Sequence, residues 1–339
     1  MVKFRQAGYC NLKLLLLYLV IYGHWIEPGI GMSKALYIQY WWIYLLHMPL
    51  FAFLSGLFLQ SRADCLRTIR KLLPVYVFLQ GAITVFSGGN ISVMEPFWHL
   101  WYLLSNCVWA GAAWIVLFLC DRAHKKKNGK YAIFLLPVAA LMGAAAGYIP
   151  FLDRTLSGSR TIAFFPFFLL GLFCKADFHW QKYRMWGIGA LTVVIAAAFW
   201  KGGQIPAAFL YHAEPYADLD SGFGLRLLCY GMSGMLGFFV LTVVPDRRLP
   251  CTKAGADTLP VYLLHAPVVG ILRENSIPAD CLPLLSGILL YIIYKGMQWY
   301  SPLYGVCTRH DPGKERRDRL WPGFRKYMNN TEKQYISSS

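Results

Sequence analysis

The chain has 339 residues, 57% of them hydrophobic and only 15% charged, where a soluble domain carries nearer a quarter charged. That balance argues against a soluble globular protein and for an all-α, polytopic integral membrane protein. A net charge of +16 would suit nucleic acid, but the cations fall between apolar runs and in one tail, the pattern of an inner membrane surface facing lipid headgroups, so no nucleic-acid partner is expected.

Ten transmembrane spans are predicted, at roughly 12–29, 40–60, 70–87, 97–119, 131–150, 161–175, 185–200, 223–244, 257–272 and 282–300. A barrel would show shorter, alternating segments instead. The first apolar run lacks a small-x-small cleavage site and reads as an uncleaved span. It contains KLLLLYLVIYGHW, with Lys13 and His24 eleven positions apart, about 16 Å along a helix. Glu27 follows one turn later. The second span reads YWWIYLLHMPLFAFLSG, with His47 two residues before Pro49. The third opens on RTIRKLLP, where Arg67 and Arg70 share a helix face beside Lys71. His99 opens the fourth in FWHLWYL, Arg160 enters the sixth in SRTIAFFPFF, and His265 stands midway along the ninth in VYLLHAP. Between the seventh and eighth lies the one sizeable loop, 201–222, with Tyr211, Glu214, Tyr216, Asp218 and Asp220. Gly143 and Gly147 form a G-x-x-x-G pair, and Gly231, Gly234 and Gly237 a small-residue stripe. Both read as helix-packing faces.

With the N- and C-termini in the cytoplasm, the inner segments hold 26 Lys and Arg and the outer loops five, Lys34, Arg154, Arg160, Lys201 and Arg273. One missed span would scramble that bias. The expected organisation is a ten-span membrane domain, 1–307, and a basic cytoplasmic tail, 308–339. The nine cysteines show no C-x-x-C or His/Cys cluster, so neither a metal site nor a disulfide framework is expected.

On this topology His24 and His47 lie roughly 8–10 Å below the outer surface. An ionisable group at such depth faces the protein interior and has a task. His24, Glu27, His47, His99, Arg160 and His265 can all reach one outward-leaning cavity, while Lys13, Arg67, Arg70 and Lys71 gather at the inner side, either as positive-inside anchors or as a phosphate clamp, since arginine suits bidentate phosphate contacts.

At these residues the chain resembles membrane acyltransferase family 3, and most closely its fucose 4-O-acetylase-like branch. The resemblance rests on NLK and the following K-x10-H (Asn11 to His24), HMPLFAFLSG (His47 to Gly56), RKLLP (Arg70 to Pro74), HLWYL (His99 to Leu103), SRTIAFFPFFLLG (Ser159 to Gly171) and VYLLH (Val261 to His265). Cys10 departs from the aspartate that branch often carries before NLK, so that aspartate's role is not transferred. The resemblance implies an O-acetyltransferase that takes acetyl from cytoplasmic acetyl-CoA, without a metal, and places it on a hydroxyl of an envelope glycan or lipid-linked sugar. Lys13, Arg67, Arg70 and Lys71 would hold coenzyme A, and His99, Trp101, Tyr102 and His265 would hold the acceptor. A sugar hydroxyl is a weak nucleophile at neutral pH and needs a base as it attacks a thioester, and a histidine near pKa 6.5 suits that. His24 is the expected base or acyl shuttle, oriented by His47 or Glu27, with Arg160 on the acceptor or the tetrahedral oxyanion. A multi-pass protein of a bacterial cytoplasmic membrane follows. A carrier or flippase for a lipid-linked sugar would use the same interior charges without chemistry, though the internal repeats common in transporters are missing.

Overall fold

The computed structural model describes residues 2–299 except 89–90, 123–128, 153–154, 175, 214, 217–218, 257 and 273–277. The basic tail 308–339, most of the basic segment 121–130, Arg154, Arg273, Glu214, Asp218 and the side chain of Asp220 lie outside the described residues. Among the described residues, ten α-helices account for the ten predicted spans: α1 Val2–Ile26, α2 Lys34–Phe58, α3 Arg62–Phe86, α4 Trp101–Arg122, α5 Gly129–Ala145, α6 Gly158–Phe173, α7 Arg184–Lys201, α8 Leu219–Val243, α9 Leu259–Leu272 and α10 Leu282–Trp299. Seven of these regions are long and apolar enough to cross a membrane, and three shorter apolar helices correspond to α5, α9 and α10. Residues through Leu290 form one compact unit, and Tyr291 begins a second, of which 291–299 are described.

Some helices start earlier than hydropathy indicates. The third span was expected from residue 70, but α3 begins at Arg62 because Ser61 caps it: the Asp64 amide donates to Ser61 Oγ at 3.2 Å, and the hydroxyl donates to the Asp64 carboxylate at 2.7 Å. The charged first turns read as loop, yet they are helix. In α2 the cap is Ser33, whose hydroxyl accepts from the Leu36 amide. Prolines sit inside α2, α3, α5, α6 and α9, which neighbouring helices tolerate within a membrane.

Helix α2 is central, with α1, α4, α6 and α8 around it. Its closest partner is α6, and two glycines explain the approach. A Cβ on Gly56 would run into the Phe168 carbonyl, and one on Gly171 into the Phe53 carbonyl. This reciprocal crossing, rather than the predicted glycine stripe on α8, sets the tightest helix pair: a Cβ added at Gly231 or Gly234 would meet nothing within 4 Å, and one at Gly237 would make ordinary contact with Leu50. The Gly143–Gly147 face does pack, against Tyr230, α6 backbone and Tyr216. Peripheral helices α3 and α7 rest on α4 and α8 respectively and expose Phe78, Phe86, Trp186, Phe199 and Trp200, as lipid-facing helices do.

The NLK motif has a structural part. The amide of Asn11 donates to the Pro245 and Arg247 carbonyls, both at 2.9 Å, and its oxygen accepts from Thr252 at 2.6 Å. This ties the start of α1 to the connection between α8 and α9.

Candidate active site

One face of α1 and of the turn that follows it carries Lys13, Leu17, Val20, His24 and Glu27, spaced four, three, four and three residues apart, the spacing that aligns side chains along a helix. Two cavities open along it. Lys13 and Leu17 line one, of about 370 Å³. Val20, His24 and Glu27 line the other, of about 490 Å³. Helix α2, packed against α1, divides the same way: Tyr44, His47 and Met48 face the larger cavity, and Phe51, Ser55 and Phe58 the smaller.

The larger cavity holds an imidazole–carboxylate pair. His24 Nδ1 stands 3.7 Å from Glu27 Oε2. Tyr211 donates to Glu27 Oε1 at 2.9 Å, Tyr40 reaches the same oxygen at 3.4 Å, and the two phenols bond each other. Burial and then the Glu27 carboxylate push the Tyr211 phenol up from its ordinary value, so it stays a donor. Arg160 lines the same cavity, with Nε on the Tyr211 carbonyl at 3.3 Å and its guanidinium over the Trp101 ring, 5.1 Å from the centroid. Arg160 lies in the first turn of α6 and Glu27 just past the end of α1, so each charge opposes its own helix dipole. Such placement is unfavourable locally, and is offset by His24 and Tyr211 on Glu27 and by the Tyr211 carbonyl and the Trp101 ring on Arg160. Trp109 donates to the Thr161 carbonyl at 2.8 Å and Ser105 bonds the Thr161 hydroxyl at 2.7 Å, which pins the turn carrying Arg160 to α4.

His24, His99 and His265 form an imidazole cluster. His265 stacks on His24 with centroids 5.5 Å apart and stands edge-on to His99 at 5.5 Å. His99 lines the cavity, whereas His265 is fully buried and lies off its lining. His99 Nδ1 and His265 Nε2 are buried without a hydrogen-bond partner among the described residues, a costly state that points to a working site. His47 lines the cavity too, with Nδ1 2.6 Å from the Ile43 carbonyl, which fixes its ring. Of the two groups expected to orient His24, Glu27 stands beside it.

The segment 91–99 roofs this cavity. Gln80, 2% exposed on α3, holds it by donating to the Ser92 and Glu95 carbonyls at 3.0 and 2.9 Å and accepting from the Phe97 amide at 2.8 Å. Among the described residues, the four non-glycine positions with positive φ are Trp98 (31°), Leu156 (48°), Ser157 (55°) and His212 (54°). Trp98 and Ser157 line the cavity, and His212 lies between its lining residues Tyr211 and Ala213. Backbone strain concentrates at such sites.

The smaller cavity combines three cations and the Asp64 carboxylate with apolar side chains. Lys13, Arg67 and Lys71 line it with Phe51, Leu54 and Phe58. Lys13 Nζ lies 3.5 Å from the Ala256 carbonyl and 5.6 Å from the Phe58 ring centre. Arg67 is bridged to Asp64 at 3.1 Å. Arg70 is exposed and lies off the lining, so the two arginines of the motif part company. Tyr102, expected at the acceptor, lines this cavity instead, its phenol bonded to Ser55 at 2.8 Å and the Phe51 carbonyl at 3.1 Å. Trp101 does line the larger one.

Sequence reasoning missed Tyr40, Tyr44 and Trp98 as site members and did not give Tyr211 a role. Tyr40, Tyr44 and His47 share one helix face at i, i+4 and i+7, a signal that was legible. Nothing local marked Trp98.

A family model described as an acyltransferase domain matches residues 9–295. No curated protein matches the chain, and no solved structure does.

Proposed function

This chain belongs to membrane acyltransferase family 3, and from that premise we propose that it is an O-acetyltransferase of the fucose 4-O-acetylase-like branch, moving acetyl from cytoplasmic acetyl-CoA to a glycan hydroxyl. The observation that carries this reading is the α1 face, which presents Lys13 to one cavity and His24 with Glu27 to the other. The smaller cavity suits the donor: cations Lys13, Arg67 and Lys71 match nucleotide phosphates, and its apolar side chains accept an uncharged thiol-bearing arm. The larger suits a sugar, since aromatic rings such as Trp98, Trp101 and Tyr211 stack on sugar C–H faces, while Glu27, Glu95 and Arg160 bond hydroxyls. The loop-charge bias places the Lys13 end in the cytoplasm.

In this mechanism the acceptor oxygen attacks the thioester carbonyl and a C–O bond forms. His24 takes the hydroxyl proton as attack proceeds. Arg160 stabilises the oxyanion of the tetrahedral species. Collapse breaks the C–S bond, and the proton on His24 passes to the leaving thiolate. Glu27 holds the imidazole and stabilises its protonated form. A bacterial cytoplasmic membrane is the proposed location, with an envelope glycan or lipid-linked sugar as acceptor.

The test is acceptor-dependent release of free thiol from acetyl-CoA by purified protein, with mass spectrometry of the glycan for gained acetyl groups. Acceptor-dependent release that disappears in His24→Ala is expected. Movement of a lipid-linked sugar without any thiol release would overturn the reading in favour of a carrier.

A further inference from the structure

The two cavities share one side chain. Among the described residues Tyr262, on α9, lines both. Its ring is edge-on to His99, with centroids 5.6 Å apart, and tilted against Tyr102 at 5.8 Å and His265 at 5.6 Å. Its phenol donates to the His99 carbonyl. Its own amide is held by the Thr258 carbonyl at 2.8 Å, so the backbone is anchored, and a change of its side-chain rotamer would move the ring without moving the helix. Resting on the acyl-transfer reading above, we propose that the Tyr262 ring is the septum between donor and acceptor cavities, latched to the roof segment through the His99 carbonyl, and that it swings aside to admit an acyl thioester to His24.

Chemistry calls for such a device. A thioester open to the outer cavity meets water there, and His24 would activate that water as readily as a sugar hydroxyl. A closed ring keeps the acyl group among Phe51, Leu54 and Tyr102 until the acceptor fills the cavity. The latch runs to the backbone of His99, whose ring lines the acceptor side, so acceptor contacts and ring position are joined by one hydrogen bond. Tyr102 is fixed on the other side by Ser55 and Phe51, so of these two facing tyrosines Tyr102 has two phenolic ties and Tyr262 the one to His99.

The test uses the full chain with native cysteines replaced and Ser55→Cys introduced in the donor cavity, reconstituted in vesicles. A small, cationic, membrane-impermeant methanethiosulfonate is applied to one face at a time. With Tyr262 in place, Cys labelling is expected only from the face that bears Lys13. With Tyr262→Ala the rate from the opposite face is expected to rise by an order of magnitude or more. Tyr262→Phe, which keeps the ring and removes the latch, gives a smaller rise and raises acceptor-independent thiol release relative to transfer. Labelling from both faces with Tyr262 intact, or unchanged labelling in both variants, overturns the septum. The labelling needs no turnover: the expected pattern without any acyl transfer would sink the enzyme reading and leave the septum standing.

Discussion

Glu27→Gln isolates the electrostatic part of the proposed base. Glutamine keeps the shape of the side chain and an oxygen that can accept from Tyr211, now 2.9 Å away, so the geometry of the site survives. What it removes is the charge 3.7 Å from His24 Nδ1, where the two side chains are 13% and 26% exposed. At that distance a full imidazolium–carboxylate pair is worth about 4–5 kcal/mol with an effective dielectric near ~20. Only about half the imidazolium charge has developed in the transition state, so about 2 kcal/mol of barrier stabilisation is lost, roughly a thirtyfold fall in kcat. The KM for acetyl-CoA should hold, because Glu27 does not line the donor cavity. The assay is initial-rate thiol release with saturating acceptor, on variants matched for elution volume. A kcat within about threefold of the parent would refute the pairing, since that corresponds to less than about 0.7 kcal/mol.

Arg67→Ala should raise the KM for acetyl-CoA about tenfold, the scale of one charge-assisted phosphate contact, while Arg70→Ala changes it little, because only Arg67 lines the donor cavity. Equal effects in both, by the same assay, would contradict the assignment. Gly171→Ala should destabilise the α2–α6 crossing by about 1–3 kcal/mol or more through collision with the Phe53 carbonyl, read as a lower Tm in detergent. Asn11→Ala removes three hydrogen bonds that hold the connection from Pro245 to Thr252, and a loss of about 2–4 kcal/mol is expected at about 1 kcal/mol each. Asn11→Ala should therefore also lower the Tm, and an unchanged Tm would show that this tie carries no stability. Tyr211→Phe should lower kcat less than Glu27→Gln, since it removes one donor and no charge.

Much of the architecture was legible one helix at a time. Ten apolar stretches became ten helices, because a backbone in lipid must satisfy its hydrogen bonds within each segment. The interval between Lys13 and His24 likewise survives any packing, since helical rise depends on residue count alone. The start of α3 was misplaced because charged residues after Ser61 look like loop until the cap is seen. The α8 glycine stripe read as a packing face, while the true close crossing pairs Gly56 with Gly171, each the last residue of its motif and neither part of a glycine repeat within its own span.

Local sequence determined which residues are helical, which are charged at depth, and how far apart they lie along each helix. Only the tertiary structure decided which of them meet. It brought Tyr211 from a distant connection onto Glu27, set His265 behind His24 rather than on the wall, gave Tyr102 to the smaller cavity, and left Arg70 off the lining of both. The reason is that position along a helix follows from its own backbone hydrogen bonds, whereas rotation about its axis and choice of neighbour follow from packing against helices elsewhere in the chain.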